Sequence, residues 1–351
     1  MLKDDWQTMW TCAPISVSAR RQMQQKLDEL AKPIRGLGRL EDLAVQLAGI
    51  KRQVTVTTAH RELLVFAADH GVAAEHVSAT PQAVTALQAV NTVNGQTTVA
   101  TMCQAAHCAV TVVDVGIMTP INEPQVLNQK IRFGTSDLLT GPAMTKPEAI
   151  QAITIGYETA QTAVVTHHAD ILAIGELGIG NTTAAAAIIA ALLHADPAAV
   201  VGRGSNISDQ RLRHKQQVVT ASLQRSFDHE DALDVLANVG GFEIGAMTGA
   251  LLYAARFGVP IVLDGFISYA ALLIAERLKP GVINYVIPSH ESHERGSQLV
   301  LEALQLKPYF NLALCVGEGT GAVMLLPWLD LLQAVLTNMN TAADVGFDFT
   351  K

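Results

Sequence analysis

The 351-residue sequence has few charged and few aromatic residues, and its basic residues form no cluster. Charged residues make up 16% and aromatic residues 5% of the chain, and 24 Lys and Arg against 32 Asp and Glu give a formal net charge of −8. Because proteins bind nucleic acid through a basic surface that neutralises phosphates, this composition argues against a nucleic-acid partner. An anionic small ligand remains compatible with it, since a glycine loop and one lysine suffice for a phosphate.

Paired cysteines and long uninterrupted apolar runs are also absent. The four cysteines (12, 103, 108 and 315) show no CxxC spacing, so Cys103 and Cys108 are predicted to be core residues, and a reducing, cytoplasmic location is expected. The N-terminus, MLKDDWQTMW, lacks the basic start and apolar core of a signal peptide. Arg256, Pro260 and Asp264 interrupt the most apolar region, so the sequence predicts a soluble protein without a membrane partner.

Apolar residues recur first with a helical period and then as short runs. The pattern predicts two helices, over residues 16–30 and 40–52. Six apolar runs that end in a polar residue or glycine predict strands, over residues 63–69, 108–116, 170–176, 259–265, 284–290 and 311–318. We therefore expect an α/β fold with a doubly wound, mostly parallel, Rossmann-like sheet of about six strands.

The same pattern predicts two domains. Residues 59–324 are expected to form a large α/β catalytic domain. Residues 1–58 and 325–351 are expected to form a small helical domain, in which a final helix over residues 325–339 packs on the two N-terminal helices. The 49% hydrophobic content is typical of a parallel sheet covered by helices, and the low charge indicates surface that is buried in an oligomer.

Polar residues follow the predicted strands, at the ends where parallel sheets bind ligands. They are Asp69, His70, Asp114, Glu176, Asp264, Ser289, His290 and Glu318. Any one of them, taken alone, is compatible with a turn or a strand cap. Because the pattern repeats over six strands, we interpret this rim as a site.

The segment GELGIGNTT places Glu176 before a glycine-rich turn and a helix start. The turn comprises Gly178, Gly180, Asn181, Thr182 and Thr183, and its N–H groups and hydroxyls are suited to an anion. The alternative is a helix cap without a ligand. The segment matches neither a Walker loop nor the G-x-G-x-x-G dinucleotide motif.

A second glycine turn, in GRGSNISDQRLRHK, precedes a helix predicted to begin near Ser208. That helix places Lys215 two turns in, where the ammonium group could reach a phosphate or could lie on a solvated helix face. In SHESHERG the order H-E-x-H-E differs from the zinc motif H-E-x-x-H. We therefore expect no metal there, and expect Ser289, His290 and Ser292 to hydrogen-bond a ligand hydroxyl or phosphate.

The segment VGEGTGAVMLL repeats the pattern of a glutamate among glycines. Desolvation raises the pKa of such a carboxyl, a condition for a general base that works near neutral pH. Glu318 is therefore a candidate base. The alternative is a structural glutamate that caps the next helix.

Nine stretches, which follow one another in family order across nearly the whole chain, resemble the nicotinate-nucleotide:dimethylbenzimidazole phosphoribosyltransferase family. They are LGRLEDLAVQLAG, AADHGV, VDVGI, GPAMT, GELGIGNTTAAAA, VGGFEIGAMTGA, VLDGFISYAA, IPSHES and VGEGTGA. The resemblance implies transfer of a phosphoribosyl group from nicotinate mononucleotide to 5,6-dimethylbenzimidazole or a related base. The products would be α-ribazole 5′-phosphate and nicotinate, with inversion at the anomeric carbon. The family also implies a homodimer that needs no cofactor.

The resemblance implies roles for individual residues. Glu318 would be the catalytic base, and we assign stabilisation of a cationic ribose to Glu176. The turn 178–183, Lys215 and Ser292 would hold the phosphate, with Asp264, Ser289 and His290 beside the sugar and phosphate. The acceptor would lie near Thr80, Gln88 and Val316. Thr80 stands where relatives often carry serine, so benzimidazole, adenine and phenol all remain candidate acceptors.

Two other functions stay open at this point. An acceptor-independent nucleotide N-glycosidase would use water in place of the base. A non-catalytic nucleotide-binding protein would keep its function without Glu318. A dinucleotide oxidoreductase needs a G-x-G-x-x-G turn followed by an acidic residue, and the sequence has neither.

Overall fold

The computed structural model describes residues 11–204 and 206–347. The decapeptide in which we found no signal-peptide pattern lies outside the described residues. The α-helices, in chain order, are α1 (Val17–Glu29), α2 (Arg39–Lys51), α3 (Ala83–Val93), α4 (Thr98–Ala105), α5 (Lys146–Val165), α6 (Asn181–Leu192), α7 (Pro197–Val200), α8 (Asp209–Leu223), α9 (Ala232–Val239), α10 (Phe242–Phe257), α11 (Phe266–Leu278), α12 (Ser297–Ala303), α13 (Thr320–Asn338) and α14 (Ala342–Val345). Two short 3-10 helices cover Gly71–Glu75 and Val282–Tyr285.

The strands form one parallel sheet. They are β1 (Arg61–Ala68), β2 (Cys108–Gly116), β3 (Val126–Asn128), β4 (Ile171–Leu177), β5 (Ile261–Leu263) and β6 (Val286–Pro288). Their order across the sheet is β3-β2-β1-β4-β5-β6, and every pair is parallel. This is the doubly wound order: the sheet extends to one side from β1 to β3 and to the other side from β4 to β6. The change of side, between β1 and β4, opens a crevice at their carboxyl ends. The predicted fold class is confirmed.

Alternate residues of the strands enter two hydrophobic cores, one on each face of the sheet. In β1, Leu64 and Phe66 pack with helices α5, α6, α10 and α11, whereas Leu63 and Val65 pack with α1, α2 and α13. All four side chains are fully buried. A strand that is buried on both faces has a continuous apolar run as its sequence, and for this reason β1 could be predicted from composition alone. The two predicted N-terminal helices are confirmed within one residue as α1 and α2.

The predicted strand over residues 311–318 is wrong. Residues 311–316 form a surface loop in which Leu312 and Val316 are 57% and 49% exposed. The loop meets the sheet edge through a single bridge between His290 and Phe310, so it lacks the second neighbour that would bury it. The sixth strand is β3, whose three residues are too few to give a periodic signal.

The terminal helices share their core with the sheet. Met23 of α1, Leu47 of α2 and Leu325 of α13 belong to one buried cluster with Val65 of β1. Helix α13 begins at Thr320, five residues before the predicted start, and it is one helix within the described residues that is long and apolar enough to span a membrane. Its buried face packs in this cluster, as that of a core helix does. The division into a large and a small domain stays a prediction.

Candidate active site

Three helices begin with a glycine N-cap at the carboxyl edge of the sheet. Helices α6, α11 and α13 have the glycine N-caps Gly180, Gly265 and Gly319, and none of the three N-caps provides a side-chain hydrogen bond. The N–H groups of an uncapped first turn and the helix dipole together favour negative charge. The first turns of α6 and α11 therefore present donors for an anionic ligand, whereas Asp264 accepts hydrogen bonds from the start of α13.

A cavity of about 280 Å³ lies at this edge, near the lower end of the range for small-molecule pockets. Eleven of the fifteen predicted site residues line it: Thr80, Gln88, Glu176, Gly178, Asn181, Thr182, Asp264, His290, Ser292, Val316 and Glu318. The other four lie behind its wall: Gly180, Thr183, Lys215 and Ser289. Residues predicted from six separate stretches thus meet at one place.

Glu318 stands on a strained turn with its carboxyl group against the cavity. Its φ is 64°, between Gly317 at 77° and Gly319 at 92°. A non-glycine residue with positive φ is uncommon and costs on the order of 1–3 kcal/mol, so such strain clusters at functional positions. The turn also approaches β4 closely, because a Cβ on Gly175 would lie 2.4 Å from the Glu318 carbonyl oxygen. Only glycine at 175 allows this approach.

The Glu318 carboxyl is largely shielded from water and has one oxygen without a partner. The residue is 8% exposed, Gln88 Nε2 donates to its Oε1 at 3.2 Å, and its buried Oε2 accepts no hydrogen bond. Burial raises the pKa of Glu318, and the nearby charge of Asp264 adds to the effect, while the Gln88 amide and the N–H of Val99 oppose it. The side chain is therefore a carboxylate of increased basicity with a free acceptor atom.

Asp264 holds the Glu318 turn in place. Its two oxygens accept hydrogen bonds from the backbone N–H groups of Gly319, at 3.1 Å, and Gly321, at 2.8 Å. Burial raises the pKa of Asp264, whereas the imidazole of His290 and these backbone donors oppose the increase. Asp264 lines the cavity, and the structure adds a contact to the Glu318 turn that the sequence did not indicate.

Glu176 is the more deeply buried of the two glutamates. The side-chain amide of Asn181 donates to its Oε2, and a Cβ on Gly317 would lie 2.8 Å from its Oε1. Burial raises the pKa of Glu176 well above its ordinary value, and the charges of Asp264, Glu243 and Glu318 raise it further. Burial and the neighbouring carboxyls thus both disfavour the charged form of Glu176.

Lys215 is buried behind the predicted anion-binding turn. The residue is 1% exposed, which excludes the solvated helix face as its location. Its Nζ donates to Thr182 Oγ1 at 2.8 Å and to the Gly202 carbonyl at 3.2 Å. Burial lowers the pKa of Lys215 to about 8, although the charge of Glu294 opposes the decrease. The helix start at Ser208–Asp209 is confirmed.

The two histidines of the SHESHERG segment are in different surroundings. His290 is buried, lies 3.8 Å from Asp264 and stacks on Phe310, whereas His293 is exposed. Ser289 donates to the Asp264 carbonyl at 3.0 Å. Among residues 11–204 and 206–347, no group of three or more His, Cys, Asp or Glu side chains is arranged to hold a metal ion.

Sequence reasoning missed several lining residues. The first turn of α11, Thr85 and Glu294 all face the cavity. Glu294 Oε1 accepts from the N–H of Gly204 at 2.8 Å, which fixes the second glycine turn beside Lys215. The strand–glycine–helix order of VLDGFISYAA could have indicated α11, but no local signal marks Thr85 or Glu294.

Comparison with known proteins gives one consistent family. A phosphoribosyltransferase family matches residues 12–347. The nicotinate-nucleotide–dimethylbenzimidazole phosphoribosyltransferase of Thermus thermophilus is 43% identical over 93% of this chain and 97% of the relative, and that of Alkaliphilus metalliredigens is 39% identical over 93% and 94%. The crystal structure of CobT from Thermus thermophilus superposes with a TM-score of 0.90, at 42% identity, over 94% of this chain and 99% of that one.

Proposed function

Because the chain belongs to the nicotinate-nucleotide–dimethylbenzimidazole phosphoribosyltransferase family, we propose that its cavity transfers phosphoribose from nicotinate mononucleotide to an azole, with Glu318 as the general base. The family resemblance noted in the sequence is confirmed. The observation that carries the assignment of Glu318 is its largely buried carboxyl group, which belongs to a residue of the cavity lining and has one oxygen, Oε2, without a hydrogen-bond partner. No step of the reaction requires a cofactor.

The proton and electron pairs balance within this scheme. Glu318 Oε2 accepts the N–H proton of the azole, and the electron density gained by the ring makes its other nitrogen a better nucleophile. That nitrogen attacks the anomeric carbon as the bond to nicotinate breaks, and the bonding pair returns to the pyridinium ring and neutralises it. Attack from the face opposite nicotinate inverts the carbon, so a β-nucleotide gives an α-product.

Charge that develops on the ribose needs a nearby anion or dipole. We assign this role to Glu176, whose proton affinity is high in the ligand-free site. A cationic sugar lowers the pKa of a neighbouring carboxyl and so favours its ionised form at the moment of transfer. Asp264 acts beside it by fixing the 319–321 turn, and His290 and Ser289 pack against Asp264.

The nucleotide phosphate is assigned to the uncapped start of α6. This part of the cavity is lined by Gly178, Thr182 and Ser292. Lys215 lies behind Thr182, to which its ammonium group donates a hydrogen bond, and supplies a positive charge from there. Gly180 and Thr183 complete the first turn from its buried side. The acceptor is assigned to the part of the cavity lined by Thr80, Gln88 and Val316, where Gln88 contacts Glu318.

Release of nicotinate with and without 5,6-dimethylbenzimidazole tests the proposal. We expect release to depend on the acceptor and an α-configured product to appear in equal amount. Acceptor-independent release at the full rate would instead establish an N-glycosidase. A protein that binds the nucleotide but releases nothing under either condition would be a non-catalytic binding protein.

The low pKa of Lys215 predicts an alkaline limit on nucleotide binding. Above about pH 8 its ammonium loses the proton, so kcat/KM for the nucleotide should fall about tenfold between pH 7 and pH 9. A phosphate monoester is already fully ionised in this range, since its second pKa is about 6, and adds nothing to the fall. Turnover at saturation should fall less, because bound phosphate raises the lysine pKa. A flat kcat/KM up to pH 9 would contradict the assignment.

We also propose a cytoplasmic homodimer. The exposed apolar side chains Val17, Leu87, Phe257 and Leu331 support burial of surface in an oligomer. The cysteines at 12, 103, 108 and 315 are unpaired, and the two predicted core cysteines, Cys103 and Cys108, are buried, as expected of a protein from a reducing compartment. Light scattering of the purified protein measures the oligomeric state directly.

A further inference from the structure

A buried ionisable pair lies beneath the 178–180 turn, and the mechanism above gives neither residue a contact with substrate. His70 follows β1, and Glu243 lies in the first turn of α10. His70 Nε2 and Glu243 Oε1 are 2.7 Å apart, and the two side chains are 1% and 0% exposed. Neither residue lines the cavity.

The pair is in close contact with the glycines of the turn. A Cβ on Gly180 would lie 3.0 Å from His70 Cβ, and a Cβ on Gly178 would lie 3.4 Å from His70 Nε2. On the far side, a Cβ on Gly241 would lie 2.4 Å from His70 Cε1 and 2.5 Å from Glu243 Oε2. The imidazole is therefore enclosed between the turn and the start of α10, and a change in its position must displace the turn.

Stability alone does not account for the pair. Apolar residues of similar volume often replace a buried ion pair without loss of stability. Here His70 Nδ1 and Glu243 Oε2 have no hydrogen-bond partner, so part of the desolvation cost is not recovered. The directional contact between Nε2 and Oε1 does fix the orientation of the imidazole, which an apolar side chain would not do.

The same histidine is connected to the acceptor side of the cavity. Its carbonyl oxygen accepts a hydrogen bond from Gln82 Nε2 at 2.8 Å, and Gln82 is the N-cap of α3. Helix α3 carries Gln88, which donates to Glu318. His70 thus contacts both the turn assigned to the phosphate and the helix that supports the base.

We propose that His70 and Glu243 are positioning residues that fix the 178–180 turn where its donors and the start of α6 bind the nucleotide phosphate. The inference rests on the proposed function of that turn. Loss of the pair should weaken nucleotide binding, because the donors are displaced. Proton transfer at Glu318 should be little affected.

Kinetics of paired variants test this inference. We expect His70→Leu and Glu243→Gln to raise the KM for nicotinate mononucleotide about tenfold, less than the roughly 10²-fold that a misplacement of about 1 Å can cost. In His70→Leu the kcat and the KM for the azole should stay within about threefold, since ground-state binding and chemistry separate in this way. Glu243→Gln also removes a charge that raises the pKa of Glu176, so for that variant only the nucleotide KM is compared. His70→Gln should restore most of the affinity, because its Nε2 can still donate to Glu243.

A second buried pair provides the matched control. Lys32 Nζ and Glu41 Oε1 are 2.9 Å apart and also buried, but they lie in the terminal helical region outside the cavity lining. Glu41→Gln should leave the nucleotide KM unchanged, even if the melting temperature falls. An unchanged KM in both His70→Leu and Glu243→Gln, or an equal increase in Glu41→Gln, would overturn the inference.

Direct binding separates the remaining outcomes. If His70→Leu does not fold, calorimetric titration of Glu243→Gln with nicotinate mononucleotide gives the same comparison through Kd. If the wild-type protein transfers no phosphoribose, the proposed function fails. If the wild type is active and the variants bind the nucleotide normally, only this inference fails.

Discussion

Glu318→Gln is expected to lower turnover at least about 10²-fold, which is the scale of general-base catalysis. The amide keeps the size of the side chain and its place on the turn, but it cannot accept the azole proton. Substrate binding should be largely kept, so the loss should appear in kcat with little change in either KM. Steady-state kinetics with nicotinate mononucleotide and 5,6-dimethylbenzimidazole measure both quantities.

The pH dependence of the wild-type enzyme should agree with this result. Glu318 must be ionised to act as a base, and burial raises its pKa above the ordinary value of 4.5. Turnover should therefore be retained above the raised pKa and fall as the pH drops through it. Glu302→Gln, which changes an exposed glutamate on α12, should leave the rate unchanged. Full activity of Glu318→Gln would remove the catalytic assignment.

Lys215→Met should raise the KM for nicotinate mononucleotide about 10- to 100-fold. The buried ammonium acts on the phosphate through its charge from behind Thr182, and two unit charges at an effective dielectric constant of about 20 interact by about 4 kcal/mol at about 4 Å and by less at a greater distance. Methionine preserves most of the side-chain volume, which limits the loss of packing in this fully buried position. Initial rates at varied nucleotide concentration give the effect.

A substrate without the phosphate isolates the interaction. Nicotinate riboside should react slowly with the wild type and at a similar rate with Lys215→Met, because the contact under test is missing from both reactions. Arg213→Met removes one positive charge from the same helix at an exposed position and should have little effect. An equal loss with nucleotide and riboside would show that Lys215 supports the fold rather than binding the phosphate.

Much of the fold could be predicted because the relevant signals are local. The helical period of α1 and α2 and the continuous apolar run of β1 appear within single stretches of sequence. Residues 311–318 have the composition of a strand as well, and that composition gave the wrong prediction. Whether such an apolar run is buried as a strand depends on where the sheet ends, and a local pattern does not reveal which strand is the last.

The site shows the same division between local and long-range information. Glu176, Glu318 and Lys215 were found because glycine turns and helix starts lie beside them in the sequence. The hydrogen bond from Gly321 to Asp264 joins residues that are 57 positions apart in the sequence, and the hydrogen bond from Gly204 to Glu294 joins residues that are 90 positions apart. One sequence carries no signal for such pairings, so the contacts that orient the turns emerge only from the structure.

The central claim is that Glu318 removes the azole proton, and a series of benzimidazoles of increasing N–H acidity tests it most directly. The measurement is the ratio of wild-type to Glu318→Gln turnover for each acceptor. We predict a ratio of at least about 10² for the least acidic acceptor and a steady decrease along the series, because acidic acceptors lose the proton without help. A ratio that stays constant across the series would contradict the account.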